Sequence, residues 1–149
     1  MKKRGIFNAQ LIWELTKVRH QEKIMICDAG FPVPEGKTLV DVSLVEGLPT
    51  VEQVLKAVCS EILIEALYFP EVFTALRPEF YGMIQSRFVN QKLEVVPNHD
   101  WTDFAAAPDV RLYIRTGDVL PCSNLILSSA SGVPRHFEEF NVEFENVID

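Results

Sequence analysis

Apolar residues recur along this chain at two different spacings, and the switches between them mark out the expected elements. Between Asn8 and Val18, the residues Leu11, Ile12, Leu15 and Val18 fall at helical intervals, and Asn8 stands where its side chain can accept a backbone N–H. A continuous apolar run, Lys23 to Cys27 ("KIMIC"), predicts a short buried strand, which "GFPVPEG" ends because glycine and proline do not continue a ladder. A further strand is expected at Thr38 to Leu44. Thr50 followed by Gln53 predicts a capping box opening a helix whose buried stripe is Val51, Val54, Leu55, Val58 and Ile62. Next come a strand around Ile64 to Phe69, a helix with Pro78 at its first position, a strand at Leu93 to Val96 and a short helix at Asp100 to Ala107. Strands at Val110 to Ile114 and Asn124 to Ser128 flank the loop "RTGDVLPCS".

Strands and helices alternate, and connections of that length favour parallel pairing. The expected fold is therefore α/β: a three-layer αβα sandwich with a largely parallel sheet. The 149 residues suit a single domain, 1–149, with an atypical acidic and aromatic extension from about residue 132, expected as an added edge strand or an arm on a neighbouring subunit. In such sheets ligands bind beyond the carboxyl ends of the strands. Asp28, the loop after Val96 with His99, and the loop after Ile114 all belong to that end.

Composition narrows the function. The net charge is −7, and the basic residues form no stripe beyond Lys2, Lys3 and Arg4, which disfavours a nucleic-acid partner. No apolar run approaches membrane-spanning length, and Asn8, Gln10 and Glu14 interrupt the start before a signal-peptide core develops, so a cytoplasmic protein is expected. Cys27, Cys59 and Cys122 are widely separated, as reduced thiols would be, and three dispersed histidines lack the spacing of a metal site. Neither a phosphate-cradling glycine fingerprint nor a "GxSxG" serine turn occurs.

The remaining polar candidates are His20, Asp28, His99 and Asn124. A histidine gives or takes a proton near neutral pH, and a carboxylate orients an imidazole or accepts a hydroxyl, a combination suited to proton transfer on a polyol. Each also has a purely structural role open to it. His20 can favour the negative end of the first helix, Asp28 can make an Asx-turn, His99 and Asp100 can cap the following helix, and Asn124 can be a turn residue.

The stretches "MKKRGIFNAQLIWELTKVRH", "CDAGFPVP", "EGLPTVEQVLKAV" and "IRTGDVLPCSNLIL" together resemble the D-ribose pyranase and L-fucose mutarotase family (RbsD/FucU), in matching order from about Lys2 to Leu127. "DAGFP" with "GLPT" is closer to the ribose branch. The resemblance implies an isomerase that interconverts cyclic forms of a free sugar with no cofactor and no metal. It also implies pentameric rings, often stacked into decamers, with sugar held near subunit boundaries. It makes His20 the proton donor, with Asp28 as its catalytic and substrate-binding partner, and His99, Cys122, Ser123 and Asn124 substrate-binding. The chain departs from the family pattern in two places: Cys122 stands where a tyrosine is usual, and Arg19 where a glycine precedes the histidine. D-ribose is the first expected substrate. A fucose-type mutarotase and a non-catalytic monosaccharide-binding protein are the alternatives, and His20 and Asp28 are expected to meet across one small pocket.

Overall fold

In the computed structural model, which describes residues 1–148, six strands form one sheet in the order β2-β5-β1-β6-β3-β4. They are β1 (Lys23–Cys27), β2 (Leu39–Asp41), β3 (Ile64–Pro70), β4 (Lys92–Val96), β5 (Val110–Arg115) and β6 (Leu125–Ser129). All pair in parallel except β6, which lies antiparallel between β1 and β3, so the sheet is mixed and mostly parallel. The helices are α1 (Ala9–Lys17), α2 (Val51–Cys59), α3 (Phe73–Leu76), α4 (Pro78–Arg87), α5 (Asn98–Ala105) and α6 (Pro134–Phe140).

The period-2 alternation of a strand sends successive side chains to opposite faces, and here it separates two cores. Ile24 and Ile26 of β1 join Leu112, Ile114, Leu125 and Leu127 under α1 to α4, where Leu11, Leu15, Leu55, Phe73, Phe80 and Ile84 complete the packing. Met25 and Cys27 point the other way, with Tyr113 and Ile126, toward Trp101 and Ala105 of α5. Helices on one face and α5 on the other give the expected three layers.

The two capping predictions hold at atomic detail. Asn8 Oδ1 accepts the Leu11 amide at 2.9 Å. Thr50 Oγ1 accepts the Gln53 amide at 3.1 Å while Gln53 Oε1 accepts the Thr50 amide at 2.9 Å. Four features differ from expectation. The strand expected at Thr38 to Leu44 is only three residues long, because Asp41 Oδ1 takes the Ser43 amide at 2.9 Å and turns the chain. The short helix α3 was not foreseen, and α5 begins at Asn98, so His99 lies on a helix rather than in a loop.

The fourth difference is the extension, which adds no edge strand. It forms α6 and then folds back along its own α2 and α4. Val142 and Phe144 pack against the larger core, Arg87 lies 4.5 Å from the Phe144 ring centroid, and Lys56 lies 5.8 Å from it. Cation–π contacts of this kind are each worth about 0.5–1 kcal/mol at exposed sites. Asn90 Nδ2 donates to the Glu139 carbonyl at 2.9 Å, Arg87 donates to the Glu143 carbonyl, and Gln53 Nε2 donates to the Ile148 carbonyl at 2.8 Å.

Candidate active site

The carboxyl ends of β1 and β5 and the start of β6 meet at one end of the sheet, since Cys27 pairs with Arg115 and Ile26 with Leu125. Asp28, 7 % exposed, follows β1 there. Its Oδ1 accepts the Gly30 amide at 2.9 Å, the Asx-turn that one reading of "CDAG" required. Its second oxygen accepts no hydrogen bond among the described residues. The Asp28 backbone amide donates to Asn124 Oδ1 at 2.8 Å, which leaves the Asn124 amide nitrogen for another acceptor. The turn role and the working role are therefore compatible, because each uses a different carboxylate oxygen.

Two residues that sequence reasoning passed over frame this pair. Asp118, in the loop after β5, is 6 % exposed and forms an ion pair with Arg77, which comes from the junction of α3 and α4 beyond β3. Asp118 also accepts the Val51 amide at 3.3 Å and the Leu120 amide at 3.2 Å, and its carbonyl takes the Ala29 amide at 2.8 Å. Arg77 Nε donates to Ser123 Oγ at 2.9 Å. Ser123 is fully buried and committed to that arginine. Gly117 lets the loop pass: a Cβ there would lie 2.4 Å from the Leu48 carbonyl oxygen. "TGD" after a strand was a visible signal for a tight loop, but no periodicity ties Arg77 to a residue 41 positions later.

Cys122 is exposed, with a left-handed φ of 60°, at the tip of the loop before β6. Burial holds the other two thiols, Cys27 and Cys59, inert by pushing each up to about 12 from an ordinary 9.0. Unfolded, they ionise first, so they lower stability only where the unfolded chain has lost protons that the folded chain retains. Unfolding free energies from urea titration are thus expected to be insensitive to these thiols below about pH 8 and to fall above about pH 9, at up to about 1.4 kcal/mol per pH unit per thiol.

His99 shares the carboxyl end but sits beyond β4, the edge strand, three strand spacings or about 14 Å across the sheet from β1. Its ring is 82 % exposed and lies 3.4 Å from Asp100.

His20 is placed elsewhere. It precedes β1, so it stands at the opposite end of the strand from Asp28, with the length of β1, about 16 Å, between them. The expectation that these two side chains meet across one pocket within the chain is corrected by this geometry. What surrounds His20 is a second polar group: Glu65 Oε2 at 3.5 Å from His20 Nε2, Ser128 Oγ donating to Glu65 Oε1 at 3.5 Å, and the His136 ring with its centroid 6.3 Å away. The His20 side chain is 48 % exposed, open to whatever approaches that end.

The RbsD / FucU transport protein family model matches residues 1–133. The chain belongs to the RbsD/FucU family. A D-ribose pyranase of Kosmotoga olearia is 35% identical over 129 residues, covering 87% of this chain and 97% of the relative. A D-ribose pyranase of Geobacillus kaustophilus is 36% identical over the same share of this chain and 93% of its own. Among solved structures, Bacillus subtilis RbsD complexed with D-ribose superposes with a TM-score of 0.80 at 32% identity, over 89% of this chain and 100% of the other. The fucose mutarotase from Streptococcus pneumoniae in complex with L-fucose, at 16% identity and a TM-score of 0.71, shares the fold. The family match stops one residue before α6, so the helix and the strap that follows it are additions to the shared scaffold.

Among the described residues no group of three His, Cys, Asp or Glu side chains is arranged to hold a metal, and no helix is long and apolar enough to cross a membrane.

Proposed function

We propose that this protein is a cofactor-independent isomerase that interconverts the pyranose and furanose forms of D-ribose, working in a site that two copies of the chain build together. The observation that carries the reading is the match, over nearly the whole of both chains, to an RbsD solved with D-ribose and to relatives named D-ribose pyranase.

The chemistry asked of the site is modest. Opening a cyclic hemiacetal needs one proton delivered to the ring oxygen as another leaves the anomeric hydroxyl, and closing through a different hydroxyl reverses those transfers. His20 serves as the donor, and its Glu65 neighbour orients the imidazole. Asp28 offers a free carboxylate oxygen beside the Asn124 amide, one acceptor next to one donor, the complement of a sugar hydroxyl pair. His99, on its exposed helix, holds a further hydroxyl.

His20 and Asp28 occupy opposite ends of one subunit, so a ring or stacked rings in which the His20 end of one copy faces the Asp28 end of the next brings them together. An exposed apolar groove of about 500 Å³ beside α1, with Phe7 and Trp13 on its walls, supports contact between copies, because a monomer rarely leaves such a patch bare.

Saturation-transfer NMR on a panel of aldoses tests this. Exchange between ribose ring forms is expected to accelerate with protein concentration, more than exchange of fucose anomers. Cys122, in the place of the usual tyrosine, favours one rival: sugar binding without turnover, since a thiol supplies neither a phenolic donor nor a stacking ring. Ribose that binds while its exchange stays at the solution rate would establish that rival and end the enzymatic reading.

A further inference from the structure

His136 belongs to the segment this chain adds beyond the family match, yet its ring lies beside His20. We infer that His136 is a substrate-contacting residue, a second imidazole that grips a sugar hydroxyl at the His20 end of the pocket and sets how tightly this protein holds its sugar. The inference rests on the sugar-isomerase reading above and adds to it a residue supplied by α6.

Three features of the segment point there. First, α6 has no buried residue, and Val133 and Phe137 are left 47 % and 59 % exposed, so core packing does not explain why the helix forms where it does. Second, the helix is pinned rather than adrift. Beyond it, Val142 and Phe144 are packed against the large core, and the Asn90, Gln91 and Gln53 side chains hold the backbone carbonyls of Glu139, Phe140 and Ile148. Ordering these residues costs about 1–2 kcal/mol each in backbone entropy, an expense that only a fixed location repays. Third, the ring itself is oriented: Ser131 Oγ is 2.7 Å from Nδ1, and the Phe140 ring packs edge-on with centroids 5.1 Å apart. Among the described residues Nε2 has only the Arg135 guanidinium, at 3.5 Å, the limit of a hydrogen bond.

A centroid separation of 6.3 Å is too long for the two imidazoles to bond directly. The two rings are nevertheless close enough for one small ligand to touch both. Glu65 Oε2, 3.5 Å from His20 Nε2, restrains that ring as Ser131 restrains this one.

The chain has only three histidines, so their ring Hε1 signals can be assigned by single substitutions and followed in proton NMR while D-ribose is added to the full-length protein. Both the His20 and the His136 signals are expected to move with one saturation curve. His136→Ala is expected to raise the KM for ring exchange about 3- to 10-fold, the loss of one hydrogen bond, with kcat within about twofold, and His136→Gln is expected to recover most of the loss. A His20 signal that moves while His136 stays still, or an unchanged KM in His136→Ala, overturns the role of His136 and leaves the sugar-isomerase reading intact. If neither signal moves and wild-type exchange stays at the solution rate, both readings are overturned.

Discussion

Replacing His20 with alanine is expected to lower ribose ring exchange by ~10²- to 10⁴-fold, the range a positioned acid or base contributes. The loss should fall on kcat, because the proposed role calls on the imidazole when the ring oxygen takes its proton and asks little of it in holding the ground-state sugar. Stability should hardly change: the side chain is half exposed and its one acidic neighbour, Glu65, is 3.5 Å away, a surface pair worth at most about 1 kcal/mol. Exchange rates from saturation transfer, read beside a urea melt of the same preparation, separate the two effects. A His20→Ala protein with wild-type exchange removes the imidazole from the chemistry.

Asp118→Ala is expected to have the largest effect on folding, about 3–5 kcal/mol of lost stability by urea titration. The carboxylate is 8 % exposed, pairs with Arg77 and satisfies two backbone amides, those of Val51 and Leu120. Truncation leaves a mostly buried guanidinium without its anion and strips a second acceptor from the start of α2. The same change loosens the strut that carries Ser123 and Ala29, and with them the Asp28–Asn124 pair, so sugar affinity should fall alongside stability. A loss below about 1 kcal/mol would mean that water replaces the carboxylate and that the network is peripheral.

Local rules were legible in the sequence and tertiary ones were not. Asn8, Thr50 with Gln53, and Pro78 announced their helices because caps act within a turn of the residue that makes them. "KIMIC" announced β1 because a strand buried on both faces is apolar throughout. The antiparallel course of β6 was hidden, since an apolar run reads the same in either direction. Asp28 and Asn124 were singled out, and they do meet, 96 positions apart in sequence. The pairing of His20 with Asp28 failed within one chain for a simple reason: residues on either side of a five-residue strand are carried to opposite ends of the sheet. Residue types suggested the chemistry, but only strand direction reveals which end each group occupies. His136 was weighed only as a metal ligand, and its nearness to His20 stayed hidden because it depends on the antiparallel pairing of β6 with β1, which returns the chain to the start of β1 just before α6.

The shared site can be tested by mixing inactive proteins. His20→Ala and Asp28→Asn chains, each expected to be nearly inactive alone, are unfolded together in equal amounts, refolded and assayed for ribose exchange. If a site takes its imidazole from one copy and its carboxylate from the next, about a quarter of the sites in random assemblies regain both groups, and activity returns to about a quarter of wild type. Activity that stays at the level of the separate mutants, in assemblies shown to contain both chains, would contradict a site built between copies.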